Sequence, residues 1–358
     1  MYNGNNCDKW QYFRGEGGVR NSSIELFRIV SMLMIVAHHY VVNSGLLDCI
    51  NTQSSLQLKD YFLLLFGWGG KTGINCFVLI TGYFMCTSSI TKKKFVKLLG
   101  EVLFYNVVIW GCFLFSGYES FSVKVFLKML FPFFMIADNF TACFLLFYLS
   151  IPFLNKLIHT LTEKEHLSLL IWCMGVYVVL PSFAKANVVF NYITWFIVLY
   201  IIASYIRLYP KEWFGNQKVI GSIAGTSLLL SWVSVLLLAV VSKHLGRSIS
   251  VAYFFVSDSN KILALTTGTS AFLFFKNLKL GYSKLINTIA ASSFGVLQIH
   301  TNSDAMRRWL WGDICNNVGV YQSGNVVIHA IGCVILIYTV CTMIDIIRIR
   351  LARIVQHE

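Results

Sequence analysis

The sequence predicts an all-α, polytopic membrane protein of about ten transmembrane helices with both termini in the cytoplasm. Three observations carry that expectation. Apolar and aromatic residues make up 56% of the 358-residue chain, and charged residues only 13%, about half the share usual in soluble domains. The apolar residues gather in runs of about 20, the length that spans a hydrocarbon core. Basic residues cluster between alternate runs, as the positive-inside rule requires. Such a composition excludes a disordered chain, a collagen, a small disulfide scaffold and a soluble enzyme of this length.

The spans are read at 24–43, 59–86, 97–116, 140–158, 167–183, 191–209, 218–242, 253–275, 284–302 and 325–347. The second is long and interrupted by Gly67, Gly69, Gly70 and Gly73, so it reads as a broken helix. The apolar stretch 122–136 is too short to cross and reads as re-entrant or interfacial. A cytoplasmic tail at 1–21, a transmembrane domain at 22–348 and a cytoplasmic tail at 349–358 complete the organisation. The first twenty residues are polar, so no cleavable leader is expected. No internal repeat is visible.

The net charge is +13, from 29 basic and 16 acidic residues. With the N-terminus inside, the inner segments collect most of the basic residues, from Lys9, Arg14, Arg20 and Arg28 through Lys92, Lys93, Lys94 and Lys97 to Arg348, Arg350 and Arg353. That distribution points to the lipid bilayer as partner and away from nucleic acid. The ten cysteines include no Cys-x-x-Cys pair. Cys49 and Cys315 fall in outer loops where a disulfide is conceivable. No His, Cys, Asp cluster has metal spacing, so no metal site is expected.

The first span holds the densest chemistry. Ser22-Ser23-Ile24-Glu25 reads as a capping box. Arg28, His38 and His39 follow within an apolar helix, where such residues are costly and usually face a cavity or a partner. Arg28 and His39 are eleven residues apart, three turns plus about 20°, and therefore share a face with about 16 Å of rise between them. Glu25 lies on the same side. His38 points about 80° away, toward packing or a hydrogen bond with another helix. Glu25 also has a plain reading as a cap, Arg28 as a side chain reaching the headgroups, and His39 as a bundle histidine.

Other constellations have plainer readings. Gly69-Gly70-Lys71-Thr72 is no P-loop, because Leu65 stands where that motif needs glycine. Asp258 and Lys261 are expected to neutralise each other at i, i+3. Trp195, Tyr192 and Tyr200 read as an interface belt and packing. Trp309 and Trp311, beside Arg308 in an outer loop, suit sugar stacking but read first as interfacial anchors. His300, in the ninth span, either lines the His39 cavity or acts as a structural hydrogen-bond partner.

Ile24-Glu25-Leu26-Phe27-Arg28, then ten residues, then His39, resembles the opening of acyltransferase family 3. Gly73-Ile74-Asn75-Cys76-Phe77-Val78-Leu79-Ile80-Thr81-Gly82-Tyr83-Phe84 is similar to that family's second-span segment, with Asn75 where the family often has Asp and Thr81 where it often has Ser. The run Lys92, Lys93, Lys94, Lys97 stands where the family has a basic inner loop. Ser293 through His300 is similar to its late Tyr-Leu-x-His helix. The likeness covers roughly 22–348.

The resemblance implies an integral membrane O-acyltransferase that moves acetyl from acetyl-CoA to a carbohydrate hydroxyl. The acceptor would be a bacterial surface polysaccharide or its lipid-linked precursor, modified at the cytoplasmic membrane. His39 and Arg28 are the expected catalytic residues, His39 as the base or covalent acyl carrier. Arg28 and Lys92, Lys93, Lys94 and Lys97 would meet the acyl-CoA phosphates. Glu25, Asn75, Tyr83 and His300 are the expected substrate or cavity residues. The rival reading is a transporter or flippase for an envelope glycan, since a charged stripe through a bundle also marks a substrate path. Such a protein favours inverted repeats and paired broken helices, and only one broken span is visible.

Overall fold

In the computed structural model, which describes residues 20–135, 139–184 and 191–355, every regular element is helical. The first third holds α1 (Ser22–Val42), α2 (Leu46–Thr52), α3 (Leu58–Gly67), α4 (Gly70–Met85) and α5 (Lys92–Phe115). Then come α6 (Val123–Leu130), α7 (Phe140–Thr160), α8 (Glu163–Met174), α9 (Tyr192–Leu208), α10 (Glu212–Gly215) and α11 (Gln217–His244). The chain closes with α12 (Ile262–Asn277), α13 (Lys284–Ala291), α14 (Ser293–His300), α15 (Asp304–Arg308), α16 (Asn317–Ser323) and α17 (Val326–Val355).

Among the described residues seven segments are long and apolar enough to cross a membrane: 22–42, 58–85, 92–115, 140–160, 163–183, 217–244 and 326–352. The apolar helix α9 is shorter. The expected eighth and ninth spans are less regular than their hydropathy suggested. The eighth begins in turns and becomes helix only at Ile262, after the polar stretch Ser257–Lys261. The ninth is two short helices that meet at Ser292. The N-terminal residues up to 19, with Lys9 and Arg14, lie outside the described residues.

Hydrogen bonds sort the helix ends into two sets. At one end Ser22 and Ser23 bond the 278–287 segment, Asn155 bonds the end of α4, and Asn277 bonds Phe214. At the other end Lys243 caps carbonyls of α2, and Lys59 bonds Tyr321. The start of α5, with its lysines, belongs to the first set through Ser88 and Ser89.

The helix α1 sits at the centre and packs on α3, α4, α12, α13, α14 and α17. Around it, 78% of the 58–85 window is buried, against 22% of the α11 window. The first is therefore core, and α11 turns Leu229, Leu230 and Leu237 outward as a lipid-facing surface. Small residues set the close contacts: a Cβ on Gly73 would lie 2.7 Å from the Ser31 carbonyl oxygen of α1. Between α11 and α12, Ser231–Thr267 and Ser227–Ser270 hydroxyl pairs at 3.1 and 3.2 Å bridge the helices.

The glycine-rich second span does break, between Gly67 and Gly70. Three local expectations are corrected. The cap of α1 is Asn21, whose side chain accepts from Ser23 N and Ile24 N, because Ser22 and Ser23 are drawn off to the 278–287 segment. Asp258 faces Lys71 at 3.5 Å rather than Lys261, whose Nζ donates to the Pro181 carbonyl. Trp195 and Trp311 are buried, not interfacial: the Trp195 indole donates to Asn75, and Trp311 packs edge-on against Tyr40. Cys49 and Cys315 are both free thiols.

Candidate active site

The C-terminal half of α1 opens onto a cavity of about 430 Å³ at the second end of the bundle. His38 and His39 both line it, and both are half-buried. Their rings diverge as the helical arithmetic requires. His38 Nδ1 donates to the Gly67 carbonyl at 2.6 Å. That carbonyl lies at the break between α3 and α4, and the ring satisfies it. A side chain on Gly70 would collide with the same ring.

His39 turns instead to α14. Its Nδ1 lies 3.1 Å from Nε2 of His300, which is fully buried behind it and off the cavity wall. His300 Nδ1 lies 2.6 Å from the Val296 carbonyl oxygen, one turn back in the same helix. A carbonyl only accepts, so His300 carries its proton on Nδ1. In the neutral pair His300 Nε2 then accepts from His39 Nδ1–H, and His39 Nε2 is left with a free lone pair. This relay sets the tautomer of the ring that lines the cavity.

Amides and hydroxyls dominate the polar lining. Asn302 donates to Asn106, Asn106 donates to the Met129 carbonyl, and Gln298 donates to the Thr141 hydroxyl, at 3.2, 3.2 and 2.8 Å. Lys71 projects from the start of α4, held by the Tyr192 hydroxyl at 2.6 Å and by Asp258. Lys128 of α6 and Arg307 of α15 complete the cationic lining. None of these was singled out as a site residue from sequence. The available signal was the polar residue inside an otherwise apolar helix, as at Asn106 and Gln298.

Arg28 lies in a second cavity of about 310 Å³, toward the first end of α1. Arg20, Asn21 and Glu25 share it, with Ser293 and Phe294 of α14. Glu25 faces Arg28 Nε at 3.7 Å. The start of α14 lines this cavity with Arg28, and its last residue, His300, faces His39. Arg28 and His39 nevertheless line different cavities.

The other expected residues are dispersed. Asn75 lines neither cavity: its amide donates to the Ser259 carbonyl and accepts from Trp195, at 2.7 and 2.9 Å, tying α4 to α9 and to the loop before α12. Tyr83 is buried and accepts from Arg207 at 3.1 Å. Lys92, Lys93, Lys94 and Lys97 are exposed at the start of α5, outside both cavities. A buried network escaped the sequence reading. Arg348 pairs with Glu101 at 2.9 Å and Asp345 at 2.7 Å, and Tyr105 donates to Asp345. It locks α5 to α17, where Arg348 had been read only as part of a basic tail.

A family model described as an acyltransferase domain matches residues 21–346. No curated protein and no solved structure matches the chain.

Proposed function

The chain belongs to acyltransferase family 3 and is a multi-pass membrane protein, and from that premise we propose that it is an O-acetyltransferase of the bacterial cytoplasmic membrane. Acetyl-CoA is the donor. The acceptor is a carbohydrate hydroxyl on a surface polysaccharide or its lipid-linked precursor. Ten membrane segments with both termini inside put the first end of the bundle, with Arg28 and the α5 lysines, in the cytoplasm. They put the His39 cavity on the outer side.

The observation that carries this reading is the His39–His300–Val296 relay at the edge of an amide-lined cavity. An acceptor hydroxyl in that cavity gives its proton to His39 Nε2 as its oxygen attacks the thioester carbonyl. The C–S bond then breaks and the proton held on His39 Nε2 passes to the sulfur, so coenzyme A leaves as the thiol and His39 is neutral again. The imidazolium formed on His39 keeps its Nδ1–H bond to His300, so no ring need turn during the step. Arg20 and Arg28 in the inner cavity suit the phosphates of coenzyme A, with the exposed lysines Lys92, Lys93, Lys94 and Lys97 gathering the polyanion from solution. Glu25, 3.7 Å from Arg28 Nε, is the opposing charge beside it.

Asn75 and Tyr83 act at a distance in this reading, by fixing the broken span that carries Gly70 and Lys71. The test is mass spectrometry of surface glycans from cells with and without the gene, paired with acetyl transfer from labelled acetyl-CoA by the full-length protein. Glycans that keep every acetyl group without the gene would overturn the proposal.

A further inference from the structure

We propose that the acceptor bound at the His39 cavity carries an anionic group, a phosphate or a carboxylate, beside the hydroxyl that is acylated, and that Lys128 and Arg307 hold it. The inference rests on the acyltransferase reading of that cavity. Three cations reach the cavity from three separate elements, and among the described residues no Asp or Glu lines it. They are not equivalent. Lys71 is already matched by Asp258 and Tyr192. Arg307 leans on Asp304, whose side chain is 78% exposed, a pairing that solvent screens. Lys128 makes no ion pair among the described residues.

Two half-buried cations without an opposing carboxylate in the cavity are costly unless an anion joins them. Their location adds to the argument. At the outer end of the bundle basic residues run against the positive-inside bias, so topology gives no reason for them. The amides and hydroxyls of the lining match sugar hydroxyls but discriminate poorly by charge. Lys128 and Arg307 supply that discrimination. The helix α6 that carries Lys128 turns Val123 and Leu127 outward, with Phe131 exposed just beyond it, an apolar rim suited to the membrane interface. Two sources share the required chemistry: the phosphate of a lipid-linked sugar, and the carboxylate of a uronate within a polymer.

Membranes carrying the full-length chain would be given labelled acetyl-CoA, with glucose, glucuronate or glucose 1-phosphate as competitor. Label is followed into lipid-extractable and polymeric glycan. Thermal unfolding of the purified protein with the same three compounds reads binding without turnover. Glucuronate or glucose 1-phosphate should suppress labelling and raise the unfolding midpoint where glucose does neither. Lys128→Gln and Arg307→Gln should each raise the concentration needed roughly tenfold, the worth of one charged contact, and Lys128→Arg should restore it. The stronger anion and the labelled fraction identify the source. Equal effects of all three compounds, no effect of any in either assay, or an unchanged anion response in Lys128→Gln would overturn the inference. Loss of glycan labelling with the midpoint shifts intact would count against the acetyltransferase reading and leave the anion site standing.

Discussion

His39 Nδ1 and His300 Nε2 face each other at 3.1 Å, and the Val296 carbonyl behind His300 decides which nitrogen of each ring holds the proton. The cavity therefore meets an imidazole whose reactive nitrogen is set by a backbone group one helix away. His300 is not among the residues that line the cavity, so in the proposed reaction its part is to position His39. Its neighbour His38 is tied to Gly67 and has a separate task.

His39→Ala should abolish acetyl transfer at normal membrane abundance, a loss of roughly 10²–10⁴-fold if only base catalysis is removed. His38→Ala should keep much of the activity but lower thermal stability by about 1–3 kcal/mol, because it strands the Gly67 carbonyl. Transfer and unfolding measured on each variant, normalised to inserted protein, separate the two rings. An active His39→Ala would end the mechanism.

His300→Ala should lower kcat with little change in either KM, and displace one limb of the pH–rate profile, since the His39 ring loses the acceptor that sets its tautomer. A purely structural His300 would instead lower protein yield and leave the profile of the surviving enzyme unchanged.

Donor binding should divide between the inner cavity and the exposed run. Arg28→Ala should raise the KM for acetyl-CoA strongly, with Arg28→Lys retaining part of the affinity, since charge survives without the guanidinium fork. Removing Lys92, Lys93, Lys94 and Lys97 together should weaken donor capture mainly at low salt, because exposed charges are screened beyond about 10 Å at 0.1 M. Donor kinetics that ignore salt in both the parent and the variant would limit the run to a topology signal.

Gly73→Ala should destabilise the bundle by about 1–3 kcal/mol, because the new methyl meets the Ser31 carbonyl oxygen, and backbone in a packed helix pair has little room to yield. Gly111→Ala, where nothing lies within 4 Å, should be neutral or mildly stabilising through helix propensity. Unfolding midpoints of the two variants in one detergent provide the comparison.

A reporter fused after residue 95 should read cytoplasmic, and one after residue 315 should read external. The opposite pair of readings would invert the assignment of donor and acceptor ends.

The sequence by itself determined the membrane class, the positions of the long apolar helices and the shared face of Arg28 and His39. These follow from hydropathy, loop charge and a period of 3.6 residues, which are properties of a chain read locally. It also marked the glycine break, since Gly67, Gly69 and Gly70 lie within a few residues of one another. Tertiary structure decided what each polar side chain meets. Asn75 reads as a site residue in its motif, yet Trp195 and Ser259, more than a hundred residues away, make it a strut. Lys71 and Asp258 find each other across the fold, so the local pairing of Asp258 with Lys261 never forms. The His39–His300 relay spans 261 positions, and no periodicity within one helix can report a partner that another helix brings to it. Burial of a polar group is favourable only when its hydrogen bonds are met, and for Asn75, Lys71 and His39 the partners that meet them come from distant segments.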